Sequence, residues 1–139
     1  MKKFLSIALV ACMTLVAVGL TSCDNFADPE KYPVSGETFA YEDDGLVITL
    51  EFAENWYAMW EKSVNGYTLI EIPLKWSMSG NDIKLKAVAE ITLKMEDGSI
   101  VTYKSGDLMF NGKYDAAART VTLTSAGKDD PMVMKQRGW

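Results

Sequence analysis

The residue types that most enzyme active sites require are scarce in this chain of 139 residues, which contains no histidine and two cysteines, Cys12 and Cys23. Without histidine, a serine triad with a histidine base, a cysteine–histidine pair and a histidine-based zinc site are all excluded. Two acidic pairs, Asp43-Asp44 and Asp129-Asp130, could offer oxygen ligands to calcium. They lack the ligand spacing of an EF-hand loop and are more typical of turns. The sequence therefore predicts a non-enzymatic protein without a metal or cofactor.

Carboxylates are the remaining groups that could carry out catalysis. Glu51, Glu54, Glu61 and Glu71 lie on or beside neighbouring predicted strands, and glycoside hydrolysis needs only two acids about 5 to 9.5 Å apart. A carboxylate-dependent glycan hydrolase is therefore the alternative function. Against it, Glu51 and Glu71 fall on the polar side of their strands, where surface acids are solvated.

Aromatic residues offer a surface for a small ligand. Five of them are candidates for ligand binding: Trp56, Tyr57, Trp60, Tyr67 and Trp76. On a strand, Trp56 and Trp60 would point to the same side as Ala58. Such a side could stack on sugar rings or line the mouth of a barrel, and it could equally be packed core.

The residues before Cys23 have the order of an export signal. Lys2 and Lys3 precede an apolar run from Phe4 to Leu20, which small residues follow. As a helix this run would span about 25 Å, less than the ~30 Å hydrocarbon core of a bilayer, so a permanent transmembrane helix is the weaker interpretation. Cys12 would leave with the signal, so the mature chain would keep one thiol and could form no internal disulfide.

The four residues Leu20-Thr21-Ser22-Cys23 resemble a bacterial lipoprotein signal, of a spelling similar to that of Bacteroides-type bacteria. The resemblance implies cleavage after residue 22 and acylation of Cys23 with diacylglycerol and fatty acids such as palmitate. Several acyl chains would hold the protein on a membrane, because each buried CH₂ adds ~0.8 kcal/mol. Asp24 beside the cysteine would favour inner-membrane retention in enterobacterial sorting, whereas acidic residues there accompany surface display in Bacteroides-type lipoproteins. The second resemblance favours the outer membrane or cell surface over the inner membrane.

The mature chain would be acidic. The full chain has 14 Lys and Arg against 19 Asp and Glu, a formal charge of −5, and loss of Lys2 and Lys3 with the signal makes it −7. This charge disfavours nucleic acid as a partner. We predict three parts: a signal peptide (1–22), a lipidated cysteine with a tether containing Pro29 and Pro33 (23–36), and one domain (37–139).

The domain shows the period-two alternation of β-strands. The predicted strands are Glu37 to Tyr41, Leu46 to Phe52, Trp56 to Ser63, Thr68 to Met78, Ile83 to Met95 as one bent strand or two, Ile100 to Lys104, Leu108 to Tyr114, Thr120 to Thr124 and Met132 to Arg137. Tight-turn pairs such as Asp44-Gly45 and Asn65-Gly66 separate them. The pattern predicts an all-β, antiparallel meander of eight to nine strands, which would remove its exposed edges by closing into a barrel. Pro73 indicates an edge or a bulge within its strand.

The domain resembles the small lipocalin-like lipoproteins of Bacteroides-type bacteria. The resemblance lies in Ser35-Gly36-Glu37-Thr38-Phe39, Thr49-Leu50-Glu51-Phe52, Gly112-Lys113-Tyr114-Asp115 and Thr120-Val121-Thr122-Leu123-Thr124. The Gly-x-Trp that opens true lipocalins is absent. The lipoprotein-like signal, the period-two strands and the missing catalytic residue types together predict a lipid-anchored, non-enzymatic binding or accessory protein of the cell envelope. Its partner would be a small apolar ligand, a glycan or another envelope protein.

Overall fold

The computed structural model of the protein describes residues 26–95 and 97–138. The predicted signal peptide, residues 1–22, and Cys23 lie outside the described residues. The described part of the chain therefore begins three residues after the predicted acylation site and includes nearly all of the predicted domain.

The described chain folds into ten strands. They are β1 (Thr38–Asp43), β2 (Leu46–Phe52), β3 (Tyr57–Val64), β4 (Tyr67–Ser79), β5 (Asp82–Ala87), β6 (Ile91–Lys94), β7 (Ile100–Tyr103), β8 (Leu108–Asp115), β9 (Thr120–Ser125) and β10 (Met132–Gln136). Eight of them form a closed antiparallel barrel in the order β1-β10-β9-β8-β5-β4-β3-β2. The predicted all-β meander, closed into a barrel of eight strands, is confirmed.

Turn residues define the hairpins as their chemistry predicts. Asp44 and Gly45 between β1 and β2 have φ values of 46° and 85°, and Asn65 and Gly66 between β3 and β4 have 51° and 86°. Two consecutive residues with positive φ match the twist of the strands that they join, which is why Asx-Gly pairs occur here. The two turns also touch each other, since the Asn65 N–H donates to the Gly45 carbonyl at 2.8 Å.

The barrel interior is built from the apolar side of each strand. On β2, Ile48, Leu50 and Phe52 are buried while Glu51 is exposed. Their cross-strand partners on β3 continue the inner face, since Leu50 lies opposite Trp60 and Phe52 lies opposite Ala58. Alternate residues of a strand point to opposite faces, so one alternating pattern makes both the core and the solvated wall.

The predicted strand from Ile83 to Met95 is two separate strands. β5 ends at Ala87 and stays in the barrel, whereas β6 begins at Ile91 and forms a hairpin with β7. Within the described residues, β6 and β7 pair only with each other. We call this two-stranded element, residues 91–103, the side hairpin.

The side hairpin covers a gap in the barrel wall. β4 has 13 residues and β5 only 6, and their pairing begins at Leu74 and Ala87. Among the described strands, the first half of β4, Tyr67–Pro73, therefore has a partner on the β3 side only. Pro73 lies on this free edge, where its missing N–H breaks no ladder. The apolar side chains of Ile91, Leu93 and Tyr103 pack from the hairpin against the core.

Residues 26–37, which we call the N-terminal segment, cover the opposite end of the barrel. The sequence assigns most of this stretch to a tether, yet Ala27, Val34 and Ser35 are buried. The Ala27 N–H donates to the Glu54 carbonyl at 2.6 Å, and the Ser35 Oγ donates to the Ala27 carbonyl at 2.6 Å. These bonds satisfy the polar groups that burial removes from water, so the segment is part of the folded unit.

Candidate functional site

The end of the barrel away from the N-terminal segment contains a cavity of about 430 Å³, which we call the mouth cavity. Apolar side chains from the barrel line it: Trp60, Ile70, Ile72, Met109 and Phe110. Leu93, Met95 and Tyr103 of the side hairpin form its cover. The volume lies within the ~300–1,000 Å³ range of small-molecule sites. The cavity exists because β5 is too short to fill the wall between β4 and β8.

Two aromatic rings stack in the mouth cavity. Trp60 of β3 and Phe110 of β8 have ring centroids 5.7 Å apart and planes inclined by 21°. Trp60 is directed inward by its strand, because its cross-strand partners Leu50 and Ile72 are both buried. A flat, apolar surface of this kind can contact an aliphatic chain or a ring.

Charged groups surround the apolar lining. Lys62, Lys94 and Lys128 line the cavity together with Asp97 and Asp130. They come from β3, the side hairpin and the connection between β9 and β10. Three lysines and two aspartates are thus among the described residues that line the cavity.

Asp97 accepts the side-chain and backbone hydrogen bonds of the turn at the tip of the side hairpin. Its Oδ1 accepts hydrogen bonds from the Ser99 hydroxyl at 2.6 Å and from the Ser99 N–H at 2.9 Å. These two bonds, and then the positive charge of Lys128, lower the pKa of the Asp97 carboxyl below its usual range. Asp97 and Lys128 line the same cavity, so the hairpin tip lies near the connection that follows β9.

Of the five aromatic residues predicted to bind a ligand, Trp60 alone lines the mouth cavity. Trp76 is 2% exposed in the core and donates from Nε1 to the Ala53 carbonyl at 3.0 Å. Trp56 precedes β3 with a φ of 71° and packs on Trp76, with ring centroids 4.6 Å apart. Trp56 and Trp76 therefore belong to the packed end of the barrel.

The two predicted tyrosines lie on the outside. Tyr67 is 76% exposed at the start of β4. Tyr57 is 48% exposed and has the Lys75 Nζ 5.7 Å from its ring centroid. Tyr57 borders an outer groove of about 420 Å³, which Trp76, Lys75 and Lys86 also line. The predicted aromatic cluster is thus divided among the mouth cavity, the core and the outer wall.

The four candidate glutamates do not line the mouth cavity. Glu61 and Glu71 are direct cross-strand partners on β3 and β4, and both lie on the outer face of their strands, as does Glu51. Within residues 26–95 and 97–138, no group of three or more acidic, cysteine or histidine side chains could hold a metal ion. The acidic pairs at Asp43-Asp44 and Asp129-Asp130 fall in connections between strands.

Sequence reasoning missed Lys62 and Phe110 as cavity residues. The sequence pattern does mark Lys62, because it lies on the same side of β3 as Ala58 and Trp60, where an apolar residue is expected. The register places it between Ile48 on β2 and Ile70 on β4. Phe110 has no comparable signal, since its approach to Trp60 depends on how the barrel closes.

No protein-family model, curated protein or solved structure matches this chain. In the part of the chain that the structure describes, no helix is long and apolar enough to cross a membrane.

Proposed function

We propose that this protein is a non-enzymatic binding protein of the cell envelope that takes a small apolar ligand into the mouth cavity. The observation that carries the proposal is the mouth cavity itself, an apolar space of about 430 Å³ left at one end of a barrel that is packed at the other end. Apolar surface that stays accessible to water is unfavourable unless another molecule covers it.

The mouth cavity favours a small ligand over the two other partners predicted from the sequence. The hydrogen-bonding groups that a glycan would need are the charged residues around the lining, whereas Ile70, Ile72 and Met109 beside Trp60 are apolar. Docking of an envelope protein through this end of the barrel would need the Trp60 and Phe110 rings at the surface, whereas both line the cavity. An apolar chain or ring system fits this lining better.

The lipid anchor is the second part of the proposal. The signal-like sequence and the single remaining thiol support acylation of Cys23 and a lipocalin-like lipoprotein at the outer membrane or cell surface. We expect Cys23→Ala to abolish incorporation of labelled palmitate and to release the protein from the membrane fraction. If the variant still sediments with membranes, the anchor proposal is wrong.

Ligand binding can be tested with N-phenyl-1-naphthylamine, a neutral dye that fluoresces in apolar sites. The full mature chain, residues 23–139, should bind it, and Trp60→Ala should weaken binding by about tenfold or more, as expected for loss of a buried aromatic contact. Tyr67→Ala is the matched control, because it removes an exposed ring outside the cavity. No dye binding, or equal loss in both variants, would contradict the proposal.

A further inference from the structure

We propose that the outer groove is a membrane-contact surface, on which Lys75 and Lys86 bind the phosphates of anionic lipid headgroups. The groove lies on the wall formed by β4 and β5, and Tyr57, Trp76 and the base of the side hairpin also border it. The inference rests on the lipid-anchor part of the proposed function, because it names the surface that would meet the bilayer to which Cys23 holds the protein.

The outer groove brings two lysines together. Lys75 and Lys86 are direct cross-strand partners, and both side chains are exposed on the outer face of the barrel. Lys84 lies two residues before Lys86 on the same face. Like charges directly opposite each other on a sheet are destabilising, so the pair costs stability while nothing of opposite charge is bound. A phosphate held between the two ammonium groups would remove this cost.

No carboxylate is among the described residues that line the outer groove. Asp82, at the start of β5, forms an ion pair with Lys113 at 3.5 Å. Asp107, next to the base of the side hairpin, accepts the Lys104 N–H on its Oδ2 at 2.8 Å. On β4, Glu71 precedes the lysine by four residues, about 13 Å along a strand. The local positive charge of the groove is therefore not offset by an acid in its described lining.

The acidity of the whole chain does not oppose such a local contact. Its formal charge is −5, but exposed charges that are more than about 8 Å apart are largely screened at physiological salt. Attraction to an anionic surface is therefore decided by the charges that face it, which in the outer groove are lysines.

Tyr57 gives the outer groove the mixed character of a surface that meets lipid headgroups. Its ring is 48% exposed, and the Lys75 Nζ lies 5.7 Å from the ring centroid. Tyrosine suits such a boundary because one end of its side chain is apolar and the other is polar. Lysine side chains can cover apolar surface with their methylene groups while the ammonium group stays hydrated or binds phosphate. The hydroxyls of Ser77 and Ser105, which also line the groove, can donate to phosphate oxygens.

The outer groove lies near the end of the barrel from which the chain leads to Cys23. The ring of Trp76, which lines the groove, has its centroid 6.1 Å from that of Tyr32 in the N-terminal segment. The described chain begins three residues after Cys23. Acyl chains on Cys23 would therefore enter the bilayer near this end of the barrel. This position favours a lipid headgroup over a soluble anion as the partner of the lysines.

Chemical coupling of Cys23 to a lipid tests the surface without depending on acylation in the cell. The full mature chain, residues 23–139, has one thiol, which can be joined to a maleimide-bearing phospholipid in vesicles. One set of vesicles consists of phosphatidylcholine, and a second set also contains phosphatidylglycerol, whose phosphate has no compensating cation. Acetylation by a water-soluble N-hydroxysuccinimide ester, measured for each lysine by mass spectrometry, reports which lysines are covered.

We expect the anionic vesicles to slow acetylation of Lys75, Lys84 and Lys86 at least about fivefold relative to phosphatidylcholine vesicles, because attraction of one lysine to an anionic membrane contributes about that factor. Lys135, which is exposed on β10, should react at the same rate on both. High salt should remove the protection, because it screens the attraction.

Variants then assign the contact to the lysine pair. In the double variant Lys75→Gln/Lys86→Gln, acetylation of the neighbouring Lys84 should lose its protection on anionic vesicles. Lys135→Gln/Arg137→Gln is the matched control, because it removes two exposed positive charges on and beside β10. This control should retain the protection of Lys84.

The outcomes separate the contact surface from the anchor. Equal acetylation of the three lysines on both kinds of vesicle would overturn the inference, and so would protection that survives the double lysine variant. Protection that soluble glycerol phosphate reproduces without vesicles would assign the groove to a free phosphate ester and would also overturn it. Absence of palmitate on Cys23 in cells, with the protection on vesicles intact, would refute the anchor and still support the contact surface.

Discussion

The two ends of the barrel use aromatic residues in opposite ways. At the packed end, Tyr32, Trp56, Trp76 and Phe52 form a chain of ring contacts with centroids 4.6 to 5.4 Å apart at each step. At the mouth, the Trp60 and Phe110 rings stack beside a cavity of about 430 Å³. Rings held by neighbours on several sides stabilise the fold, whereas rings that border a space remain available to a ligand.

Chain architecture explains the difference. The N-terminal segment brings Tyr32 and Val34 onto the packed end, where backbone hydrogen bonds attach it to the connection after β2. At the other end, apolar side chains of the side hairpin pack against the core. Hydrogen bonds such as Gly106 N–H to the Ala87 carbonyl at 2.8 Å hold the base of the hairpin. Because the described strands of the side hairpin form no hydrogen-bonded ladder with the barrel strands, space for the mouth cavity remains beneath the hairpin.

The two ends should differ most in the free energy of unfolding that is lost when a tryptophan is replaced by alanine. We expect Trp76→Ala to lower the free energy of unfolding by about 3–5 kcal/mol, the usual cost of removing a large buried aromatic side chain. Trp60→Ala should cost clearly less, because that ring is only partly buried. Urea unfolding of the two variants measures both values, and an equal or larger loss for Trp60→Ala would refute the distinction between packed end and mouth.

Amide hydrogen exchange should separate the side hairpin from the barrel. The amides of β6 and β7 open without disturbing the barrel ladder, so we expect them to exchange about 100-fold faster than those of β2 and β3, a difference of ~2.8 kcal/mol in opening free energy. The comparison is made in one sample by two-dimensional NMR. Equal protection in the hairpin and the barrel would mean that the hairpin belongs to the same cooperative unit.

Removal of one hydroxyl at each end tests the attachment of the N-terminal segment. Ser35→Ala should cost about 1–3 kcal/mol, because it leaves the buried Ala27 carbonyl without its donor at 2.6 Å. Thr92→Val removes an exposed hydroxyl that lies 3.1 Å from the Thr102 hydroxyl in the side hairpin, and it should change stability by less than about 0.5 kcal/mol. Thermal unfolding of both variants checks the order, and the reverse order would show that the segment is loosely held.

The smallest effect should come from the tip of the side hairpin. The pKa of Asp97 is lowered by its hydrogen bonds to Ser99 and by the charge of Lys128. These interactions stabilise the hairpin tip at pH values above the usual pKa of an aspartate, and this stabilisation is lost as the pH falls through the lowered pKa. We expect the Ser99 amide signal in NMR to shift in that acidic range and to stop titrating in Asp97→Asn. The midpoint of urea unfolding should not move, and a large change would show that the tip supports the barrel.

Local patterns determined most of the fold. The alternation from Leu46 to Phe52 matches β2 residue for residue, and the Asx-Gly turns occur where they were predicted, because strand parity and positive φ are properties of adjacent residues. The separation of the side hairpin from the barrel was not predictable, since Ile91–Lys94 alternates in the same way as a barrel strand. Only long-range pairing distinguishes the two.

The candidate site was predictable in part. Trp60 was expected to point with Ala58 to a core or a barrel mouth, and it lines the mouth cavity. Trp56 could not be placed, because an aromatic residue with a φ of 71° departs from the strand geometry that its sequence favours. The role of the N-terminal segment was hidden because Ala27, Tyr32 and Val34 follow no strand or helix period.

The hydrogen bond between Ala27 and Glu54 has a consequence for orientation. Ala27 lies four residues after Cys23 in the sequence, and a fully extended chain of four residue steps reaches at most about 14 Å. An acylated Cys23 would therefore keep the packed end of the barrel near the bilayer, with the mouth cavity at the opposite end. Its cavity would open toward the medium, so a ligand would have to arrive from that side or be handed over by a neighbouring protein.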